Sequence, residues 1–241
     1  MKTMSKAIEI ENFSYGYPDG TAALSNITLS VEHGQKLALI GPNGAGKSTL
    51  LLAMAGFAKG TGKVRIDGLE VNRKNLRTIR ACLGSCLENP DDQLFMPTLF
   101  DDVAFGPLNM GLAPEQVKKR VADALQTVGL AEMAEKAPHH LSAGQKRAAA
   151  IATILAMKPK IITLDEPDGS LDPRNRNNLM KLLGSLPQTL IIATCNMNFA
   201  AALADRAVLL DKGRIVADGN AKKIMSDSEL MTEYGLEAAK K

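Results

Sequence analysis

An eight-residue segment sets the class of this chain: it reads Gly41-Pro42-Asn43-Gly44-Ala45-Gly46-Lys47-Ser48 and fits the pattern G-x-x-x-x-G-K-[ST]. A short apolar run, Lys36–Ile40, precedes it, and a predicted apolar helix, Thr49–Ala55, follows it. Small residues let the backbone curl so that successive N–H groups face phosphate oxygens, and the helix start adds partial positive charge. The alternative, a glycine-rich turn with a chance Lys-Ser pair, fits the strand–loop–helix context poorly. We therefore predict a nucleotide phosphate site, with Lys47 on the β- and γ-phosphates and the Ser48 hydroxyl on Mg²⁺.

An acidic pair supplies the second half of this prediction. The apolar run Ile161–Leu164 is followed by Asp165-Glu166-Pro167. A carboxylate at the end of a buried strand can hold Mg²⁺, and a second one can polarise an attacking water. The alternative is that Asp165 and Glu166 are ordinary surface acids at the end of a strand. The presence of the phosphate loop in the same chain disfavours this alternative. Asp165 is therefore a candidate metal ligand and Glu166 a candidate catalytic base.

The apolar pattern predicts an α/β fold. Lys36–Ile40, Ile161–Leu164 and Leu190–Thr194 are continuous apolar runs, which is typical of parallel strands covered on both faces. Near the N-terminus, Ala7–Glu11 and Ala23–Val31 read as two further strands joined by a turn-rich segment.

The predicted organisation is one domain with an inserted lobe. Residues 88–158 read as mostly helical, with Pro114 at the start of one helix and Gly129 at its end. We therefore predict a nucleotide-binding α/β core with a β subdomain, formed by residues 1–87 and 159–241, and a helical subdomain at 88–158.

Composition narrows the function classes. The chain has 241 residues, a net charge of +3, 4% aromatic residues and no Trp, which argues against base-stacking nucleic-acid binders. Its longest small-apolar run, Ala148–Met157, is shorter than the roughly 20 residues of a membrane span. Three cysteines without CxxC spacing fit a reducing compartment, and Cys82 and Cys86 read as packing residues of one strand around Gly84.

A further segment, Leu141-Ser142-Ala143-Gly144-Gln145, precedes the predicted helix Lys146–Met157, and Ser170-Leu171-Asp172-Pro173 follows Glu166. In this order the two segments resemble the LSGGQ signature and the D-loop of ATP-binding-cassette (ABC) proteins. The resemblance implies a P-loop NTPase core with an N-terminal antiparallel β subdomain and an inserted helical subdomain, and it implies ATP and Mg²⁺ as cofactors. It also implies that Ser142, Gly144, Gln145 and Asp172 serve nucleotide bound by a second ABC ATPase subunit, identical or different, because two such half-sites on one chain do not meet.

The same resemblance assigns an adenine-stacking role to Tyr17, which precedes Pro18. Tyr15 is the competing candidate, and either tyrosine could instead be a structural strand residue.

Two more segments, Asn89-Pro90-Asp91-Asp92-Gln93-Leu94-Phe95 and Asp101–Asn109, resemble the ATPases of energy-coupling-factor importers, including the cobalt and nickel type. This implies a transmembrane coupling protein and a substrate-capturing membrane protein as partners, with the chain peripheral at the cytoplasmic face of the membrane. We hypothesise that the acidic cluster Glu88, Asp91 and Asp92 receives an Arg-bearing helix of the coupling protein. A solvated acidic loop is the alternative.

Two positions depart from the family pattern. Glu88 stands where the resemblance expects a Gln that contacts Mg²⁺ and the attacking water, and Cys195 stands where it expects a His, with Asn196 in place of Asp. A carboxylate lacks the amide donor, and a thiol is a weak donor. Losing one contact to the transition state costs about 3 kcal/mol, or about a hundredfold in rate. Glu88 and Cys195 are therefore candidate catalytic positions of a site that binds ATP and hydrolyses it slowly, and Glu88 remains a candidate metal ligand.

Three functional classes remain open at this point. The first is an ATPase subunit that powers an importer. The second is a degenerate nucleotide-binding regulatory subunit paired with an active ATPase. The third is an ABC protein acting on nucleic acid or ribosomes, which the absence of a basic arm or a second cassette disfavours, so no nucleic-acid partner is expected.

Overall fold

The computed structural model describes residues 6–169 and 171–239, which form two sheets and a helical lobe. The first sheet is antiparallel and has the strand order β2-β1-β4-β5. Its strands are β1 (Lys6–Gly16), β2 (Ala22–Glu32), β4 (Thr61–Ile66) and β5 (Leu69–Glu70). Burial alternates along β2 because one face of the sheet packs on the core. The predicted strands Ala7–Glu11 and Ala23–Val31 lie within β1 and β2 of this sheet.

The second sheet carries the candidate site and has the order β10-β9-β3-β8-β7-β6. All neighbours pair in parallel except β10, which is antiparallel to β9. Its strands are β3 (Lys36–Ile40), β6 (Leu83–Cys86), β7 (Ile161–Asp165), β8 (Thr189–Thr194), β9 (Arg206–Asp211) and β10 (Arg214–Asn220). Every residue of β8 is buried, as expected for a central strand covered on both faces.

The helices cover this sheet and build the lobe. They are α1 (Lys47–Met54), α2 (Leu76–Cys82), α3 (Leu99–Asn109), α4 (Pro114–Thr127), α5 (Ala143–Leu155), α6 (Pro173–Ser185), α7 (Met197–Leu203), α8 (Ala221–Ser226) and α9 (Ser228–Glu233). Helices α3, α4 and α5 share an apolar cluster of their own, which includes Val103, Val121 and Ala149. The lobe thus has its own core, while the boundaries 88 and 158 remain a prediction.

One local prediction is wrong. Cys82 and Cys86 do not share a strand, because Cys82 is the last residue of α2 and only Cys86 lies in β6. Ile79, buried within α2, gives that short helix an anchor in the core. Gly84 lies in β6 as expected, and a Cβ there would collide with the Ile154 side chain, so the strand approaches α5 closely.

The order of the parallel strands places the predicted site residues along one edge. The carboxyl ends of β3, β8, β7 and β6 are neighbours, and these ends lead into the phosphate loop, Cys195, Glu166 and Glu88 respectively. In open α/β sheets this edge is where ligands bind.

Candidate nucleotide site

Glycines allow the phosphate loop to take its shape. Gly44 and Gly46 have φ values of 79° and 103°, a left-handed backbone that side chains disfavour. At Gly41, with φ 151°, a Cβ would collide with the carbonyl oxygen of Leu210 on β9. The loop therefore needs small residues both for its curl and for its close approach to the sheet.

The loop borders a cavity of about 470 Å³. Its lining comprises Tyr17, Thr21, Ala22, Ala23, Asn43, Gly44, Ala45, Gly46, Lys47, Ser48, Thr49, Glu88 and Glu166. The structure thus brings the loop, Tyr17 and two of the predicted carboxylates around one space. Gly41 and Pro42 instead hold the base of the loop, where their carbonyl oxygens accept hydrogen bonds from Lys47 Nζ at 2.8 and 3.2 Å.

Lys47 is the buried cation of the site, with 5% of its surface exposed. Besides the two carbonyls, its Nζ lies 3.4 Å from Glu166 Oε1. A buried cation held by neutral carbonyls and one carboxylate can exchange these partners for phosphate oxygens.

The carboxylates at the end of β7 form an electron-rich centre suited to Mg²⁺. Burial is the main cause that raises the pKa of Asp165. The negative charges of Glu166 and Glu88 raise this pKa further, whereas a hydrogen bond with Ser48 lowers it. Asp165 Oδ1 is buried and makes no hydrogen bond within the described residues. A divalent cation would supply the missing partner and offset the repulsion, so Ser48, Asp165 and Glu88 fit Mg²⁺.

Glu166 is held in a strained turn. Its φ is 39°, its N–H donates to Ala193 O at 2.8 Å, and its Oε2 accepts from the Cys195 N–H at 3.1 Å. A non-glycine residue in this conformation persists only when its surroundings fix it, and such residues cluster at functional sites.

Cys195 contributes to the site through its backbone. Although the residue as a whole is exposed, partial burial of its thiol is the main cause that raises the pKa of that thiol, and the charge of Glu166 adds to the effect, so the thiol is neutral at ordinary pH. The backbone amide of Cys195 contacts Glu166. A donor to the Glu166 carboxylate is therefore present at this position even though the expected imidazole is not.

Glu88 is tied to the helical lobe. Its carbonyl oxygen accepts from Arg147 Nη2 at 2.6 Å, and the neighbouring Leu87 carbonyl accepts from Arg147 Nη1 at 2.7 Å. Arg147, only 4% exposed, lies in α5. Gln93 adds a second tie, since its Oε1 accepts from the Leu87 N–H and its Nε2 donates to Ala150 O. The segment around Glu88 is thus held against α5.

Tyr17 and Tyr15 have different surroundings. Tyr17 lines the cavity, is 41% exposed, and has its hydroxyl 2.8 Å from Thr49 Oγ1. Tyr15 stacks edge-on against Tyr17 and packs against the apolar core. Of the two rings, Tyr17 is the one that borders the cavity, and its contact with a base stays a prediction.

The predicted signature residues begin α5 and face elsewhere. Ser142 caps the helix in a reciprocal pair with Gln145, each side chain bonding the other's backbone N–H. A Cβ on Gly144 would collide with the side chain of Asn175. The backbone N–H of Asn175 donates to the Asp172 carboxylate. Ser142, Gly144, Gln145 and Asp172 are absent from the described lining of the Lys47 cavity. Ser170, in the predicted D-loop, lies outside the described residues.

Comparisons with known proteins agree with this geometry. The family model described as "ABC transporter" matches residues 24–169. The chain belongs to the ABC transporter family. The predicted fold class is therefore confirmed, and so is the assignment of this ABC protein as an ATPase.

Relatives and solved structures show which members of the family this chain resembles. A putative ABC transporter ATP-binding protein of Geobacter sulfurreducens is 47% identical, with 95% of this chain and 93% of that protein covered. The energy-coupling factor transporter ATP-binding protein EcfA of Methanosphaera stadtmanae is 46% identical, with 97% and 86% covered. CbiO1 of Clostridium perfringens, described as part of the ABC transporter complex cbiONQ, is 35% identical at a TM-score of 0.84, with 95% and 94% covered. The resemblance to the energy-coupling-factor branch is thereby confirmed.

A further structural neighbour concerns assembly. An ATP-binding cassette solved as a dimer in a post-hydrolysis state with ADP and Pi is 28% identical at a TM-score of 0.80. That alignment covers 89% of this ABC ATPase and 98% of the neighbour.

Sequence reasoning missed the residues that support the site from outside the motifs. Arg147 follows the signature by two positions, and a lone arginine before an alanine run was a signal that could have been used. Asp168 is also only 5% exposed, although it lies in the turn after Glu166, between Pro167 and Gly169. Its buried position has no signal in the sequence, because it depends on contacts with β8.

Proposed function

We propose that this chain is the ATP-binding and ATP-hydrolysing subunit of an importer of the energy-coupling-factor type, which powers uptake of a metal ion or a vitamin. The observation that carries the proposal is Lys47, buried between its own loop and Glu166 at the edge of the parallel sheet. The similarity to EcfA and to CbiO1 supports the branch.

The proposed chemistry is hydrolysis of Mg-ATP. Lys47 and the loop N–H groups bind the phosphates, and Tyr17 contacts the base. Ser48, Asp165 and Glu88 would hold Mg²⁺, which would offset charge on the phosphates. Glu166 takes a proton from the attacking water. The anchored turn of Glu166 supports this role, because a general base must be held within hydrogen-bond reach of that water.

We propose further that the site built on this chain's own loop is slow. Glu88 adds negative charge beside Glu166, which disfavours an incoming γ-phosphate, and the neutral Cys195 thiol is a weak donor. Turnover is retained in part because Glu166 and its amide contact are present.

The proposed assembly is a pair of ABC ATPases, identical or different, in which Ser142, Gly144, Gln145 and Asp172 serve the second subunit's nucleotide. The start of α5 supports this, since it is exposed and a helix N-terminus favours an anion.

The proposed membrane partners are a transmembrane coupling protein and a substrate-capturing protein, with this chain peripheral at the cytoplasmic face. Among the described residues, no helix is long and apolar enough to cross a membrane. A mainly apolar groove of about 770 Å³ between α2 and α3, which Arg77 and Arg80 also line, is the proposed docking surface. The acidic turn that contains Asp91 and Asp92 lies between these two helices in sequence. Asp91 is already paired with Lys146 at 2.6 Å, which leaves Asp92 as the stronger candidate for an arginine of the coupling protein.

The second candidate is a regulatory nucleotide-binding subunit of a heterodimeric ATPase pair, favoured by Glu88 and Cys195. ATP turnover of the isolated chain, compared with a mixture that contains the partner ATPase, separates the two. Measurable turnover by the chain alone supports the ATPase proposal. Tight ATP binding with no turnover alone, and stimulation of the partner, supports the regulatory one.

A further inference from the structure

Asp168 lies two residues after the proposed catalytic base and is enclosed by the end of β8. Only 5% of its surface is exposed. Its Oδ1 accepts from the Thr194 hydroxyl at 2.9 Å, and its Oδ2 accepts from Asn196 Nδ2 at 2.7 Å. Both oxygens of one buried carboxylate are thus bonded to the two residues on either side of Cys195.

The same three residues are bonded to one another. The Asn196 N–H donates to Thr194 Oγ1 at 3.0 Å, so the Thr194 hydroxyl both donates and accepts. Asn196 Oδ1 in turn accepts from the Phe199 N–H and caps α7. These bonds fix the backbone on both sides of Cys195, and we name Asp168, Thr194 and Asn196 the strand-end clamp.

The residue enclosed by the clamp holds Glu166. The Cys195 N–H donates to Glu166 Oε2 at 3.1 Å, and the Glu166 N–H donates to Ala193 O at 2.8 Å. Glu166 therefore depends on the end of β8 for both its backbone and its carboxylate. Glu166 and Asp168 lie in the same turn after β7. The clamp therefore joins this turn to the end of β8, beside the contact between Glu166 and the Cys195 amide.

We propose that Asp168 is a positioning residue for the hydrolysis reaction: through Thr194 and Asn196 it aims the Cys195 amide at Glu166 and so fixes the catalytic carboxylate. This inference rests on the proposed function of Glu166 as the base. In this proposal the contact that orients Glu166 comes from the backbone amide of Cys195. The Cys195 side chain is a thiol and only a weak donor.

The clamp offers a swap that tests the proposal. Asp168→Asn places an amide nitrogen against the amide nitrogen of Asn196, which breaks one bond, and Asn196→Asp places two carboxylates together. The double variant D168N/N196D restores the donors and acceptors among the three clamp residues, since the carboxylate introduced by N196D can also accept from the Phe199 N–H. It moves to position 196 the negative charge that lies 3.9 Å from Arg176 Nε. Coupled positions of this kind are revealed by a double-mutant cycle.

The first measurement is steady-state ATP turnover of the full chain. We expect D168N to lower kcat about ten- to a hundredfold with KM for ATP unchanged, because a shift of about 1 Å in a catalytic group costs about a hundredfold. The double variant should recover most of this loss. Asp102→Asn is the matched control, since Asp102 is equally buried and accepts two backbone N–H bonds in the helical lobe, so it should lower stability but not kcat.

The second measurement does not need turnover. With ¹⁵N-cysteine labelling the chain gives three backbone amide signals, and Cys195→Ser removes and thereby assigns one of them. We expect D168N to move the Cys195 amide signal in the same direction as Glu166→Gln does, and the double variant to return it. Should D168N fail to fold, Thr194→Val, which deletes the hydroxyl, should show the same shift, and Thr194→Ser should not.

The proposal is overturned if the Cys195 signal stays in place in D168N or Thr194→Val while the melting temperature falls, because Asp168 would then be structural only. It is also overturned if kcat is lost and the double variant does not recover it. A wild-type chain that binds no ATP analogue would instead sink the proposed function, and the amide measurement would still report on the clamp.

Discussion

The two halves of the candidate site differ in how closely they follow the pattern of their family. The phosphate loop, from Gly41 to Ser48, keeps its glycines, its lysine and its serine, and Lys47 is buried at the centre. The opposite half, at the ends of β6 and β8, carries Glu88 and Cys195 where the family resemblance leads us to expect Gln and His. The proposed function therefore assigns binding of the triphosphate and its hydrolysis largely to separate residues.

The physical reason lies in what each half must do. Binding needs positive charge and backbone N–H groups in a fixed curl, which the loop supplies by itself. Hydrolysis also needs donors that strengthen as charge develops in the transition state, and these come from separate strands. A chain that changes the second set alone retains nucleotide binding, and this separation can be tested from either side.

The largest expected effect is on the base. Glu166→Gln should lower kcat about a hundred- to ten-thousandfold, because general-base catalysis supplies an acceleration of that size. The affinity for a non-hydrolysable ATP analogue should not fall, since the amide keeps the shape. Single-turnover hydrolysis and analogue titration measure the two quantities. Glu115→Gln, an exposed acid of α4, is the control. Turnover that survives in E166Q would refute the assignment of the base.

The next effect is on the binding half. Lys47→Ala should weaken analogue binding about a hundredfold, because two charge-assisted contacts at about 1.5 kcal/mol each are lost. Calorimetric titration measures it. Lys118→Ala removes an exposed lysine of α4 and should leave the affinity unchanged. Equal affinity in K47A would mean that the nucleotide binds elsewhere.

A gain-of-function experiment tests the half of the site that carries Glu88 and Cys195, the hydrolytic half. Restoring the family residues with Cys195→His and Glu88→Gln together should raise kcat, by up to about a hundredfold for a recovered transition-state contact. Analogue affinity should not fall, because Glu88→Gln removes negative charge beside the γ-phosphate and keeps an oxygen that can bind Mg²⁺. Single-turnover rates of the two single variants and the double variant measure this. No gain would show that the two departures are already compensated.

The smallest effect concerns charges outside both halves. Asp92→Lys should weaken co-purification with the membrane partner about fivefold, the equivalent of about 1 kcal/mol for a peripheral charge. Asp91→Lys should have a smaller effect, since Asp91 already pairs with Lys146. Neither change should alter ATP affinity. Complex formation that is unchanged in both variants would count against the acidic docking surface.

Contiguous motifs made the centre of the site predictable. The loop and the acidic pair each combine a strand or helix boundary with residues adjacent in sequence, so local chemistry predicts their roles, whereas the role of the signature rests on the family resemblance. The fold class followed from apolar runs such as Lys36–Ile40, which the structure places in the parallel sheet with the same bounds.

The supporting contacts could not be predicted for a physical reason. Arg147 contacts Leu87 and Glu88 across 60 and 59 positions, and Asn196 contacts Asp168 across 28. Such pairs depend on how helices and strands pack, which a single sequence does not encode locally. Cys82 shows the same limit at short range, because even spacing suggested a strand where burial of Ile79 stabilises a helix.

Single-turnover hydrolysis, run beside analogue binding on the same wild-type sample, is the decisive test of this division of labour. We expect saturable binding that disappears in K47A, together with bound Mg-ATP that is cleaved slowly and much faster once positions 88 and 195 are restored. An absence of binding at Lys47, or wild-type cleavage as fast as in the restored double variant, would be incompatible with it.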